Sequence, residues 1–204
     1  MNSKLHLGQR ASVSVGKTPR RGNVVENILA PRGLFNVEHW RGGLLLANYR
    51  CPNGITNEGK NFLFDVMFDN DANAATWYML LIDLTGFTAL ANDDIYDDIN
   101  QAGNGWDEFT DYTDPGNGDS TVTRPVWNPD PASSQSISNG TQTIFDITDT
   151  GTVKGLGLVG LGAAANTKGD HANDGKLWAT ALFDQGDTAV VLGDQLKVTY
   201  TVSA

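Results

Sequence analysis

Towards the C-terminal end of the chain, Leu196, Val198, Tyr200 and Val202 alternate without a break with Lys197, Thr199, Thr201 and Ser203. Side chains of an extended strand point to opposite faces with a period of two, so Gln195–Ser203 reads as a strand with one apolar and one polar face. Such a face must be buried against a second layer, and other segments supply candidates for it. Leu34–His39 and Leu44–Tyr49 flank Trp40-Arg41-Gly42-Gly43, two β-prone runs around a Gly-Gly turn that predict a hairpin. Gln142–Thr148 alternates around Ile144, although Phe145 and Ile147 blur the face. Thr152–Leu161 sets Val153, Gly155, Gly157 and Val159 against Lys154, Leu156 and Leu158, and Lys176–Phe183 follows. Trp77–Asp83 is a short continuous apolar run, the pattern of a strand buried on both faces. Regular strands with turn signals between them predict a mainly β chain, an antiparallel β-sandwich or jelly roll over residues 33–204.

One helix is expected at residues 56–68, where Phe62, Leu63, Val66 and Met67 recur at helical spacing. Thr56 or Asn57 can cap it, because a side-chain oxygen there accepts an unpaired backbone N–H. Phe64 and Phe68 extend its apolar surface around much of the girth, which predicts a largely buried helix. Gly59 weakens helix propensity and is expected where a helix packs closely on a strand. Leu84–Asp119 is an acidic stretch with the turn dipeptides Asn104-Gly105, Pro115-Gly116 and Asn117-Gly118, and it reads as a long loop. Trp106, Phe109 and Tyr112 within it have two readings, as pins to the body and as a recognition surface.

Charge is unevenly distributed. Residues 1–50 hold eight bases and two acids, a net +6, whereas the remainder is −16. Lys4, Arg10, Lys17, Arg20 and Arg21 face no acid within residues 1–22. A basic arm over residues 1–32 on an acidic body is expected to seek a negative partner, while the body discourages nucleic-acid contact. Pro19 and Pro31 favour extended geometry for the arm, with short pairing at Ala11–Val15. The longest apolar runs, Leu44–Ala47 and Met79–Ile82, are far shorter than the roughly 20 residues of a membrane helix. Met1-Asn2-Ser3-Lys4 is not followed by an apolar stretch, so no secretory signal is expected and synthesis is expected in a cytoplasm.

Motifs for catalysis are missing from the sequence. No G-x-S-x-G, phosphate-binding loop or H-E-x-x-H occurs. His6, His39 and His171 are far apart, and the single cysteine, Cys51, reads as a buried structural thiol at a turn before the helix. Asp69-Asn70-Asp71-Ala72-Asn73 has the first oxygen spacings of an EF-hand, but Ala74 and Leu80 stand where Gly and Glu are needed. Asp93-Asp94, Asp97-Asp98 and Asp114–Asp119 have two readings, as solvated acidic loops, which is the one expected, and as loop sites for Ca²⁺. Trp106-Asp107-Glu108 offers adjacent carboxylates with no second acid at glycosidase separation. Asn139-Gly140-Thr141 fits a glycosylation sequon but reads as a turn. Neither a metal nor another cofactor is expected.

The ordered series of segments over about residues 50–204 resembles a family of small virion proteins of tailed bacteriophages. It runs from Asn53-Gly54-Ile55-Thr56-Asn57-Glu58-Gly59 through Trp77–Asp83, Gly86-Phe87-Thr88-Ala89 and Gly105-Trp106-Asp107-Glu108. Thr123-Arg124-Pro125 with Trp127, Phe145-Asp146-Ile147, Gly151–Gly155 and Gly193-Asp194-Gln195-Leu196 complete it. The resemblance implies a non-enzymatic structural protein of the virion, of the capsid decoration, cement or head-fibre kind. The expected partners are the major capsid protein or other virion proteins, contacted through Lys4, Arg10, Lys17, Arg20 and Arg21. A homo-oligomer is expected, with a trimer suited to capsid three-fold positions, and neither membrane nor sequence-specific nucleic-acid binding. Two other readings are a tail or neck adaptor or fibre base recognising through Leu84–Asp119, and a carbohydrate-binding β-sandwich. The last would use some of Trp40, Trp77, Trp106, Trp127 and Trp178 for sugar stacking.

Overall fold

A computed structural model describes residues 31–103, 105–172 and 174–204. The arm residues Lys4, Arg10, Lys17, Arg20 and Arg21, and the pairing expected at Ala11–Val15, lie outside the described residues. The described chain is mainly β and forms two antiparallel sheets with one α-helix. In the first sheet β2 (Leu44–Asn53), β1 (Arg32–Arg41), β12 (Asp194–Ser203), β8 (Thr143–Ile147) and β5 (Tyr112–Thr113) follow one another. β7 (Ser136–Ser138) also pairs with β12. The second sheet runs β10 (Lys176–Leu182), β9 (Gly151–Gly160), β3 (Trp77–Asp83) and β4 (Glu108–Phe109). There β11 (Thr188–Val190) joins β9, and β6 (Val126–Trp127) joins β3.

The hairpin expected around Gly42-Gly43 is β1–β2, and both glycines take positive φ, 57° and 82°, as a tight turn between twisted strands requires. The C-terminal alternation is β12, with Leu196, Val198 and Tyr200 fully buried. It pairs with β1 along its whole length, from Arg32 opposite Ser203 to Arg41 opposite Asp194. Phe35, Val37, Phe145, Ile147, Leu196 and Val198 of the first sheet share one core with Met79, Leu81, Leu156 and Leu158 of the second. In β8 the face is therefore set by Thr143, Phe145 and Ile147, and Ile144 points away from that core. Val153 also lies in it, because the β3–β9 register shifts between Ile82 and Asp83 and interrupts strict alternation.

β3 is buried on both faces, as expected, and the reason lies in residues 84–119. This stretch is not the unstructured loop its composition suggests: it contains β4, β5 and two short 3-10 turns, Tyr96–Asp98 and Pro115–Asn117. Its Tyr96, Ile99 and Trp106 join Ala165 in a second core against Leu80, Ile82, Val159 and Leu177, on the outer face of the second sheet.

α1 (Asn57–Phe68) begins where the spacing predicts it, with Thr56 accepting from the Gly59 N–H at 3.0 Å. The Thr56 hydroxyl donates to the Leu177 carbonyl, and the Thr56 N–H to that of Trp178. A Cβ on Gly59 would meet the Trp178 carbonyl oxygen at 2.7 Å, so the glycine sits at a close helix–strand approach. The helix is not largely buried, however. Phe62 faces inward, while Phe64, Met67 and Phe68 are 52%, 54% and 77% exposed. Cys51 is buried as expected but belongs to β2 rather than to a turn.

Candidate functional site

Polar and apolar groups of the body have separate roles. Arg124, the one base between Lys60 and Lys154, is fully buried. Its Nε and Nη2 donate to the two oxygens of Glu108 at 2.9 and 2.7 Å, a bidentate pair. Its remaining N–H groups donate to the Tyr96 hydroxyl and to the Ala165 and Asp170 carbonyls, and Glu108 also accepts from the Gly169 N–H. Burial opposes the guanidinium charge, but Glu108 and Tyr96 reverse this and hold it more firmly protonated than usual. The pair thus joins the 84–127 stretch to the 161–175 connection. Lys168 adds bonds to the Thr110 and Tyr112 carbonyls, and burial lowers its pKa.

A second clamp lies at the hairpin end of β1. Arg41 donates to both oxygens of Asp194 at 2.6 and 2.8 Å, and His39 Nε2 lies 2.8 Å from Asp194 Oδ2. Burial would raise the Asp194 pKa, but the bonds from Arg41, His39 and the Val191 N–H carry it well below the ordinary carboxylate range. Asp94 and Asp114 are pushed upward by burial while accepting backbone N–H bonds. Burial raises the Cys51 thiol to about 11, which keeps it protonated and unreactive near neutrality. Each of these buried acids and bases is engaged in bracing loops and strands. Among the described residues, no three or more His, Cys, Asp or Glu side chains gather as a metal site.

The structure places Trp106, Phe109 and Tyr112 at 1%, 3% and 1% exposure. They pin the 84–119 stretch to the body, and a recognition surface made of their side chains is ruled out by that burial. Trp106 donates to Asp94, and Tyr112 packs edge-on against Phe145. Trp127 is likewise buried, so neither it nor Trp106 offers a ring face for stacking on a sugar. The Asn139 amide of the sequon is buried and fully bonded.

The body also offers apolar groups outward. The first wall of a cleft of about 370 Å³ is made by Phe62, Leu63 and Val66 of α1. Trp77 and Trp178 of the second sheet and Ile137 and Val202 of the first also line it, as does Pro31, the first described residue. Phe64, Met67 and Phe68 stand on the outward side of the same helix. Leu44, Leu45 and Leu46 form a second exposed apolar patch on the edge strand β2. Sequence reasoning registered these helix residues but expected them to be inside. It missed the Arg124–Glu108 pair, although a lone base amid acids, in Thr123-Arg124-Pro125, is a usable signal for a buried ion pair. In comparisons with known proteins, no family model matches the chain, and no curated protein or solved structure does.

Proposed function

We propose that the chain is a non-enzymatic structural protein of a bacteriophage virion, a decoration or cement protein that binds the capsid shell through its N-terminal arm. The observation that carries this reading is the division of labour in the body. Its buried acids and bases are bound to one another or to backbone, while several of its large apolar side chains, Phe64, Met67, Phe68 and Leu44–Leu46, are exposed and suited to contact. A jelly-roll form of β-sandwich is part of the proposal. It is supported by the adjacency of β1 and β12 and by the passages between sheets at β2–β3, β8–β9 and β11–β12.

The division of charge supports the same reading. An acidic body stays soluble outside a shell, and Lys4, Arg10, Lys17, Arg20 and Arg21 supply the opposite charge for capsid subunits. Many copies on one lattice turn modest single contacts into tight retention, which would brace neighbouring subunits against internal pressure. Counting copies per purified particle by quantitative mass spectrometry tests this. A number close to that of the major capsid protein is expected. A dozen or fewer would place the protein on the tail or neck, and absence from particles would overturn both virion assignments.

A further inference from the structure

A separate cleft of about 730 Å³ is lined from β3, β6, β8, the Pro115–Asn117 turn and Asn166. Its chemistry differs from that of the apolar cleft beside α1. Side-chain amides of Asn117, Asn128, Gln142 and Asn166 line it, and Tyr78 adds a half-buried ring. Among the described residues, the Asn128 and Gln142 side chains, the Asn166 NH2 and the Tyr78 hydroxyl have no hydrogen-bond partner. A side-chain amide offers two donors and an acceptor, so this lining matches a ligand that donates and accepts at closely spaced points.

Two charged residues line the cleft, and neither is free to hold a ligand. All five N–H groups of Arg124 are used within the protein, on Glu108, Tyr96, Ala165 and Asp170. Asp114 is buried and accepts from the Gly116 N–H at 2.9 Å and from the Thr123 hydroxyl at 3.4 Å. The cleft therefore has no cation to spare for a phosphate, sulfate or carboxylate, and Asp114 repels one. Extended peptides bind through main-chain bonds to a sheet edge, whereas the unbonded groups here are side chains on separate segments. The chemistry that remains is neutral and rich in hydroxyl groups.

Gln142 also lines a neighbouring cleft of about 400 Å³ on the outer face of the first sheet, with Asn36, Asn48 and Thr199. Their side chains likewise have no partner among the described residues. Arg50 is offset there by two acids, Glu38 and Asp184, so positive charge is not in excess. The two clefts meet at Gln142, and together they suit a chain of linked units rather than a single one.

We propose that the cleft lined by Tyr78, Asn128, Gln142 and Asn166, continued past Gln142 onto Asn36 and Asn48, binds a neutral oligosaccharide. The amides bond its hydroxyl groups, and the Tyr78 ring supplies the apolar contact that no tryptophan provides here. This assignment does not depend on the shell reading, because copy number per particle and sugar binding are measured separately.

The full-length protein is applied to a printed array of neutral, sialylated and sulfated glycans, and the strongest neutral member is titrated calorimetrically. Binding to neutral members alone is expected. N128A/Q142A is expected to weaken it about tenfold or more, since two hydrogen bonds are lost. The two side chains have no partner in the described body, so its denaturant midpoint is expected to be unchanged. Asn73→Ala, an amide lining the apolar cleft beside α1, is expected to leave the affinity as it was. No binding to any neutral glycan, or binding to sialylated or sulfated members only, would overturn the proposal. A neutral glycan whose affinity survives N128A/Q142A would overturn it too, by placing the sugar elsewhere.

Discussion

On the edge of β12 away from β1, no strand lies beside Tyr200 between the part that pairs with β8 and the part that pairs with β7, and the Asn139 amide takes that place. Its oxygen accepts from the Tyr200 N–H at 2.7 Å and from Trp127 Nε1, while its NH2 donates to the Val198 carbonyl at 3.0 Å. Asn139→Ala leaves these buried groups without that partner and is expected to cost about 2–4 kcal/mol, read from denaturant unfolding. Asn139→Asp also destabilises, because a carboxylate cannot donate to Val198. Asp194 behaves differently. It is ionised in the folded protein at a pH where an unfolded aspartate, with a pKa of about 3.9, takes up a proton. The unfolded chain then binds more protons, so this contribution is complete above that pH and is lost as pH falls through the depressed folded value. Unfolding measured from pH 6 to pH 2 is expected to show a shallower acid decline for Asp194→Asn than for the unaltered chain.

At the level of elements, α1 is fixed at one end and open along its length. Gly59 lies under Trp178, where the β9–β10 register shifts and Thr56 binds both neighbouring carbonyls. Replacing a helical glycine by alanine normally gains up to about 1 kcal/mol, but here the new methyl group meets backbone that two hydrogen bonds hold in place. Gly59→Ala is therefore expected to destabilise by about 1–2 kcal/mol, seen as a lower denaturant midpoint with an unchanged slope. The start of this helix was legible in sequence because capping and periodicity are local. Its exposure was not, because Phe64 and Phe68 look the same whether a neighbour covers them or not. β3, β12 and the β1–β2 hairpin were legible for the same reason as the cap, since alternation and turn chemistry act between near neighbours. β4 and β5 were hidden, as two-residue strands carry no period, and the Arg124–Glu108 pair joins residues 16 apart in sequence.

For the molecule as a whole, the two sheets and the layer formed by residues 84–119 are held by different means. Facing apolar side chains join the sheets, whereas the outer layer combines its own apolar cluster with one buried ion pair. Removing one partner of a buried pair leaves a charge that is costly to keep inside, so Glu108 and Arg124 hold the layer only together. The pairing of β12 has a consequence for biogenesis. The described elements leave the ribosome in order from β1 to β12, but β12 stands between β1 and β8 in the finished sheet. Until it is made, Phe35 and Val37 on one side and Phe145 and Ile147 on the other have no strand between them. The nascent chain must keep these surfaces from sticking elsewhere, and the first sheet closes in a single late step after nearly all of the body has been translated.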